Sequence, residues 1–192
     1  MSQKHPIISI TGSSGAGTST VRDTFAQIFF REKVKAAFIE GDAFHRFDRA
    51  EMERRLVEAQ GDPLSHFSHF GAEANEFELL EEVFRIYGET GTGRTRTYVH
   101  NDEQAEQWDC LSGTFTDWRS FEEDTDLLFY EGLHGAVAND KVNIAQHADL
   151  KVGVVPVMNL EWIQKLHRDK AKRGYSIEAV TDTILRRMHD YV

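Results

Sequence analysis

The sequence predicts an α/β fold: a mainly parallel sheet flanked by helices. Three observations predict it. Short, near-continuous apolar runs alternate with helical patterns. A glycine-rich turn joins the first such run to the first helix, and polar or acidic residues follow the strands directly. At 192 residues, the chain amounts to about one domain and is long enough to bury a sizeable core. It contains no repeat and only three prolines (Pro6, Pro63 and Pro156), so residues 1–192 read as a single domain without a linker.

Taken in order, Ile7-Ile8-Ser9-Ile10 is a short β-branched strand, and the glycine-rich segment follows it. From Ser19 the period becomes helical, with Val21, Phe25, Ile28 and Phe29 on one face. Val34 to Ile39 is a second buried strand, ending in Glu40-Gly41-Asp42. Phe77, Leu80, Val83, Phe84 and Tyr87 mark a helix expected to stop at Gly88. Asp126 to Gly132 is an apolar strand ending in an acid, Glu131, and Leu150 to Val155 is another strand. Two helices separated by Gly174 complete the pattern. In such sheets ligands bind beyond the carboxyl ends of the strands. Gly12 to Thr20, Asp42, Glu131 and the segment after Val155 should therefore converge on one rim.

Composition excludes several classes of function. There are 22 Lys+Arg against 32 Asp+Glu, a net charge of −10. Coating nucleic acid non-specifically requires the opposite sign, so no nucleic-acid partner is expected. No apolar stretch approaches the roughly 20 residues that span a bilayer, and the start, Met1 to Pro6, is polar. A lone cysteine, Cys110, cannot form an internal disulfide. These features predict a cytoplasmic enzyme or switch with no membrane partner.

Gly12-Ser13-Ser14-Gly15-Ala16-Gly17-Thr18-Ser19-Thr20 has the spacing of a phosphate-binding loop, G-x-x-x-x-G-K-[ST], with Thr18 in the lysine position. Glycines let the backbone curl so that successive N–H groups face phosphate oxygens. The following helix adds the positive end of its dipole. Ser19 holds the hydroxyl position that binds Mg²⁺. Without the lysine, another cation must neutralise the β/γ-phosphates. Asp42 and Glu131 both stand at strand ends opposite this loop, as a metal-holding or base carboxylate does. Taken alone, either acid would read as a helix cap or a solvated loop residue, and sequence does not decide which does which job.

Lys165, Arg168, Lys170, Lys172 and Arg173 crowd nine positions after the last strand. His45, Arg46 and Arg49 follow Asp42, and Arg94 and Arg96 follow Gly91-Thr92-Gly93. Helical spacing places Lys165, Arg168 and Lys172 on one face. A charge run is often only a solvated face. In a chain this acidic, however, clustered cations near strand ends point to anionic ligands, here two phosphate-bearing substrates of which one is a nucleotide. Nine histidines suggest a metal at first, but His66-x-x-His69 has no third ligand at metal-site spacing. The aromatic residues around Phe115, Trp118 and Phe121 read as packing.

Several of these segments resemble the bacterial phosphoribulokinases. They are Ile7–Thr20 with Thr18 in the lysine slot, Glu40 to Arg46, Gly93 to His100, Phe129 to His134 and Asn159 to Lys165, and the similarity runs over essentially the whole chain. The resemblance implies a three-layer, nucleoside-monophosphate-kinase-like P-loop fold. It also implies ATP- and Mg²⁺-dependent phosphorylation of D-ribulose 5-phosphate to ribulose 1,5-bisphosphate for carbon fixation. By position, Asp42 matches the catalytic base and Glu131 the metal-associated acid. His45, Arg49 and Lys165 match sugar-phosphate-binding positions, while Arg168, Asp169 and Arg173 match other active-site residues. Arg31, Arg186 and Arg187 fall in regions linked with effector response, in a branch resembling NADH-activated octamers. Similar proteins continue past Val192, so the chain is expected to lack the family's C-terminal part, which weakens the effector and assembly expectations. A uridine-kinase-like nucleoside kinase is the alternative on the same scaffold. A catalytically impaired nucleotide-binding module is the alternative outside it, and retention of both Asp42 and Glu131 argues against that.

Overall fold

A computed structural model of the chain describes residues 4–60 and 67–186; the side chains of Gln60, Met158, Lys172, Arg173 and Arg186 lie outside the described set. Four strands form one all-parallel sheet: β1 (Ile7–Gly12), β2 (Ala36–Glu40), β5 (Leu127–Gly132) and β6 (Leu150–Val154), in the order β2-β5-β1-β6. Two two-residue strands, β3 (Arg94–Thr95) and β4 (Arg119–Ser120), pair antiparallel outside it. The helices are α1 (Thr18–Glu32), α2 (Arg49–Gln60), α3 (Phe77–Thr90), α4 (Asp102–Trp108), α5 (Met158–Arg173) and α6 (Ile177–Arg186).

Both faces of β5 are covered, which is why its sequence is apolar without alternation. Leu128 and Tyr130 face a cluster with Ile7, Ile39, Leu80, Val83, Phe84 and Tyr87, built largely on α3. Phe129 turns to the other face, against Ile10 and Phe29 of α1, with Phe25 and Val21 beside them. The rings of Phe25, Phe29 and Phe38 stand 5.2, 5.6 and 5.5 Å from that of Phe129. Such edge and tilted pairs add about 0.5–1.5 kcal/mol each beyond area burial. The sheet is thereby fixed between α1 and α3, and the register aligns Ile10 with Glu131 and Gly12 with Val154. The polar segments after β1, β2 and β5 leave the same end of the sheet.

The structure corrects some boundaries. α3 runs through Gly88 and ends at Thr90. A glycine inside a helix only weakens it. The stop comes from Gly91, whose φ of +72° lets its N–H reach the Tyr87 carbonyl at 2.8 Å. β2 begins at Ala36 and β6 ends at Val154, each slightly shorter than the apolar run. Phe115, Trp118 and Phe121 do pack: their rings lie 5.2, 5.7 and 5.8 Å from Tyr98, Phe44 and Tyr87. No helix among the described residues is long and apolar enough to cross a membrane.

Candidate active site

The loop between β1 and α1 is held open by two glycines in the positive-φ region, Gly15 at +107° and Gly17 at +98°. The Ala16 N–H donates to the Ser13 carbonyl (3.0 Å), and the first helical bond runs from Val21 N–H to Gly17 O (3.2 Å). The N–H groups of the first turn therefore have no helical partner and face outward as an anion cradle. In a chain of net charge −10, that turn contains no acidic residue and no side-chain cap. Ser19 and Thr20 are exposed at its mouth. Gly12 is required by packing instead: a Cβ there would lie 2.8 Å from both Thr18 Cγ2 and the Val154 carbonyl.

Thr18 is buried, and its hydroxyl hydrogen-bonds the Glu131 carboxyl. A lysine in this slot would have to bury its stem against β5. Burial pushes the Glu131 pKa up; Thr18 opposes the shift, while the charges of Asp42 and Glu40 add to it, and Arg22 opposes it. Arg22 is paired with Glu40. Glu131 and the Ser19 hydroxyl supply oxygen donors only, and the crowding of like charge around Glu131 suits a hard divalent cation such as Mg²⁺.

Asp42 follows β2 in a short 3₁₀ turn, Gly41–Phe44. Its two carboxyl oxygens face two different imidazoles: Oδ1 lies 3.2 Å from His45 Nε2, and Oδ2 lies 3.2 Å from His100 Nε2. Burial works to raise the Asp42 pKa, but the hydrogen bonds and charges of His100 and His45 outweigh it and hold the carboxyl well below the usual range. Arg49 sits on the same side. Its backbone N–H donates to the Gly113 carbonyl (2.8 Å), and its Nη2 donates to the His100 carbonyl (2.8 Å). The Tyr98 ring lies between these groups, 4.9 Å from the His100 ring and 6.1 Å from that of His45. Arg96 braces the turn from below, donating to the carbonyls of Ala43 and His45 (both 2.8 Å).

α5 packs directly on the phosphate loop. A Cβ on Gly15 would stand 3.0 Å from the Glu161 carbonyl and 3.1 Å from Lys165 Cβ. Arg168 Nη2 donates to Ser14 Oγ (3.1 Å), and its Nε donates to Asp169 Oδ1 (2.9 Å). Lys165 Nζ reaches the other oxygen of Asp169 (3.0 Å), and both Lys165 and Asp169 are buried. Lys165 and Arg168 thus accompany the loop, whereas His45 and Arg49 accompany Asp42. The Arg173 side chain, His66 and Arg187 lie outside the described residues. Arg31 pairs with its neighbour Glu32 on the surface.

Tyr98 and His100 fall in the Gly93 to His100 segment that carries the resemblance, but the sequence assigns neither a role. In the fold both flank Val99, which is fully buried, so the two polar rings turn to one side. Asn75, which touches His45, carried no signal.

Comparisons with known proteins agree with this geometry. A family model described as "Phosphoribulokinase / Uridine kinase family" matches residues 7–192. Phosphoribulokinase 1 of Cereibacter sphaeroides is 68% identical over all 192 residues, which make up 66% of that protein. A phosphoribulokinase of Nitrobacter vulgaris is 67% identical over the same span, again 66% of its length. The chain therefore spans just under two thirds of these curated relatives. Among solved structures, phosphoribulokinase from Rhodobacter spheroides matches with a TM-score of 0.81 at 64% identity, over 98% of this chain and 64% of that one. A D-glycerate 3-kinase from Cryptococcus neoformans shares the fold alone, with a TM-score of 0.61 at 16% identity over 98% of this chain and 78% of that one. The three-layer architecture is that of the P-loop kinases, and the chain belongs to the phosphoribulokinase/uridine kinase family.

Proposed function

We propose that the chain carries the site of an ATP-dependent kinase that phosphorylates D-ribulose 5-phosphate to ribulose 1,5-bisphosphate. One observation carries the reading: a carboxylate, Asp42, is presented with an imidazole on each oxygen at the same rim as an open phosphate loop. The names and identities of the full-length relatives support it. ATP lies with its phosphates on the loop from Gly12 to Thr20, and Ser19 and Glu131 hold the Mg²⁺ that accompanies it. When bound, that ion would offset the negative charge of the phosphates. Arg168 and Lys165, oriented by Asp169, supply the positive charge that Thr18 does not. The acceptor lies on the other side, with His45 and Arg49 toward its phosphate, and the resemblance to phosphoribulokinases adds Arg173 to the cationic set. Asp42 takes the proton of the attacking hydroxyl, and transfer is in line, driven by positioning and charge neutralisation. The reading includes a cytoplasmic setting, in keeping with the single cysteine. It also includes a homo-oligomer that responds to NADH, which gel filtration with and without NADH tests.

A coupled ADP-release assay with ribulose 5-phosphate against uridine tests the substrate. A nucleoside carries no phosphate for His45 and Arg49, so uridine should be the poorer acceptor. Asp42→Asn should lose about 10²–10⁴-fold in kcat while both substrates still bind. Preference for uridine, or near-normal turnover of Asp42→Asn, would overturn the proposal.

A further inference from the structure

Asn75 is 1% exposed and takes no part in the steps above. Its Nδ2 lies 2.8 Å from the carbonyl oxygens of both His69 and Gly71, and its Oδ1 lies 2.8 Å from His45 Nδ1. Carbonyls only accept, so both amide hydrogens are committed to them. Turning the amide over would set its oxygen against two other oxygens, which fixes the assignment. An amide oxygen likewise only accepts, so His45 Nδ1 carries a hydrogen. In a neutral ring that would leave Nε2 as a bare lone pair. Yet Nε2 is the atom facing Asp42 Oδ1 at 3.2 Å, and Asp42, which its contacts with two imidazoles hold in the ionised form, has nothing to donate. The ring fits both neighbours only when both nitrogens are protonated.

We propose that Asn75 is a positioning residue that fixes His45 as an imidazolium, paired with an obligate Asp42 carboxylate. The catalytic consequence rests on the reading above: the acceptor side holds a ready cation, and Asp42 is the only member of the pair able to take a proton. The other groups facing His45 are compatible. Arg96 donates to its backbone carbonyl and disfavours the charge, as does His134 more remotely; Tyr98 presents a ring edge, and His100 touches Asp42 on the far oxygen. Arg46 is neutralised by Glu76 (3.1 Å) while donating to the Asn75 carbonyl (3.2 Å). Burial lowers the His45 pKa, but Asp42 and Asn75 together outweigh it and raise it.

Nitrogen-resolved NMR of the histidine side chains, without substrate, reads this directly. In the unmodified chain at pH 6.5 both His45 nitrogens should be protonated in most molecules, with a titration midpoint above that of a free imidazole. Asn75→Ala should lower that midpoint by about one unit, tenfold in the protonation equilibrium. Asn75→Leu fills a similar space without an acceptor for Nδ1 and should lower the midpoint as Asn75→Ala does, whereas a purely structural role would make the well-filled variant behave like the unmodified chain. In kinetics, Asn75→Ala should cut kcat/KM for ribulose 5-phosphate about tenfold at pH 8 while leaving KM for ATP unchanged. A mostly neutral His45 ring at pH 6.5 in the unmodified chain, or an unchanged midpoint in Asn75→Ala, would overturn the assignment. If Asn75→Ala does not fold, the unmodified chain and Asn75→Leu decide it. If His45 titrates as expected but the sugar phosphate is not phosphorylated, the proposed reaction falls and the role of Asn75 stands.

Discussion

His134 lies just past β5, is 7% exposed, and reaches the Phe70 carbonyl with Nε2 (3.1 Å). Its ring stands 4.8 Å from that of Phe77. Burial lowers its pKa from 6.5 to about 4, with the Phe70 carbonyl partly opposing. Between those two values the unfolded chain takes a proton that the folded chain refuses. His134 thus favours folding fully above pH 6.5, and that contribution drains away as pH falls toward 4. At about 1.36 kcal/mol per pKa unit, the loss amounts to about 3 kcal/mol over the whole interval and about 2 kcal/mol by pH 5. His134→Gln keeps an N–H donor for Phe70 and does not titrate. Urea unfolding followed by tryptophan fluorescence, for both chains between pH 7.5 and 5, isolates the effect, because groups not coupled to His134 cancel in the difference. His45 and Asp42, which do act on His134, do so with opposite signs and change the difference little. The variant should gain about 2 kcal/mol on the unmodified chain over this range. A stability difference that does not change with pH would refute the argument.

Further outcomes concern the phosphate loop and the two cationic groups. Gly15→Ala forces a Cβ against α5 at φ +107°, strain of about 1–3 kcal/mol; calorimetry should show nucleotide affinity falling tenfold or more. Gly17→Ala should cost less, since nothing lies within 4 Å of its Cβ and only the backbone resists. Thr18→Lys should lower thermal stability without improving ATP affinity, because the slot is buried and occupied by the bond to Glu131. Arg168→Ala should raise KM for ATP by about 10- to 100-fold, the value of a charge-assisted hydrogen bond, whereas Arg49→Ala should raise KM for the acceptor instead. The reverse pattern would mean that the two cationic groups serve opposite substrates.

The strands and the phosphate loop were legible because their signals are local. Ile7 to Ile10 and Leu127 to Tyr130 are apolar without alternation, and the glycines of the loop follow directly. α2 was not legible: it has no clear apolar stripe, and Arg54 and Arg55 of this helix pair with Glu51, ion pairs that sequence does not distinguish from a solvated run. Half of the site around Asp42 was legible. His45 lies three residues away, but His100 and Asn75 arrive from 58 and 33 positions downstream through a buried valine and an isolated bridge. The cations after β6 were visible as a charge run. Their division, with Lys165 and Arg168 buried or half-buried against the loop, depends on how α5 docks, and no spacing within the helix specifies that.

The contact between Arg168 and Ser14 spans 154 residues of chain. A loop lysine would be synthesised together with its glycines. Here the glycines come first, and at translation speeds of about 5–20 residues per second the compensating charge follows roughly 8–30 s later. During that interval a nascent chain has a phosphate cradle with a helix dipole but no neighbouring Arg168 or Lys165. On the proposed reading, nucleotide capture would wait until all four strands of the sheet have been made, and ATP would be a ligand of the assembled layer structure rather than of its first forty residues.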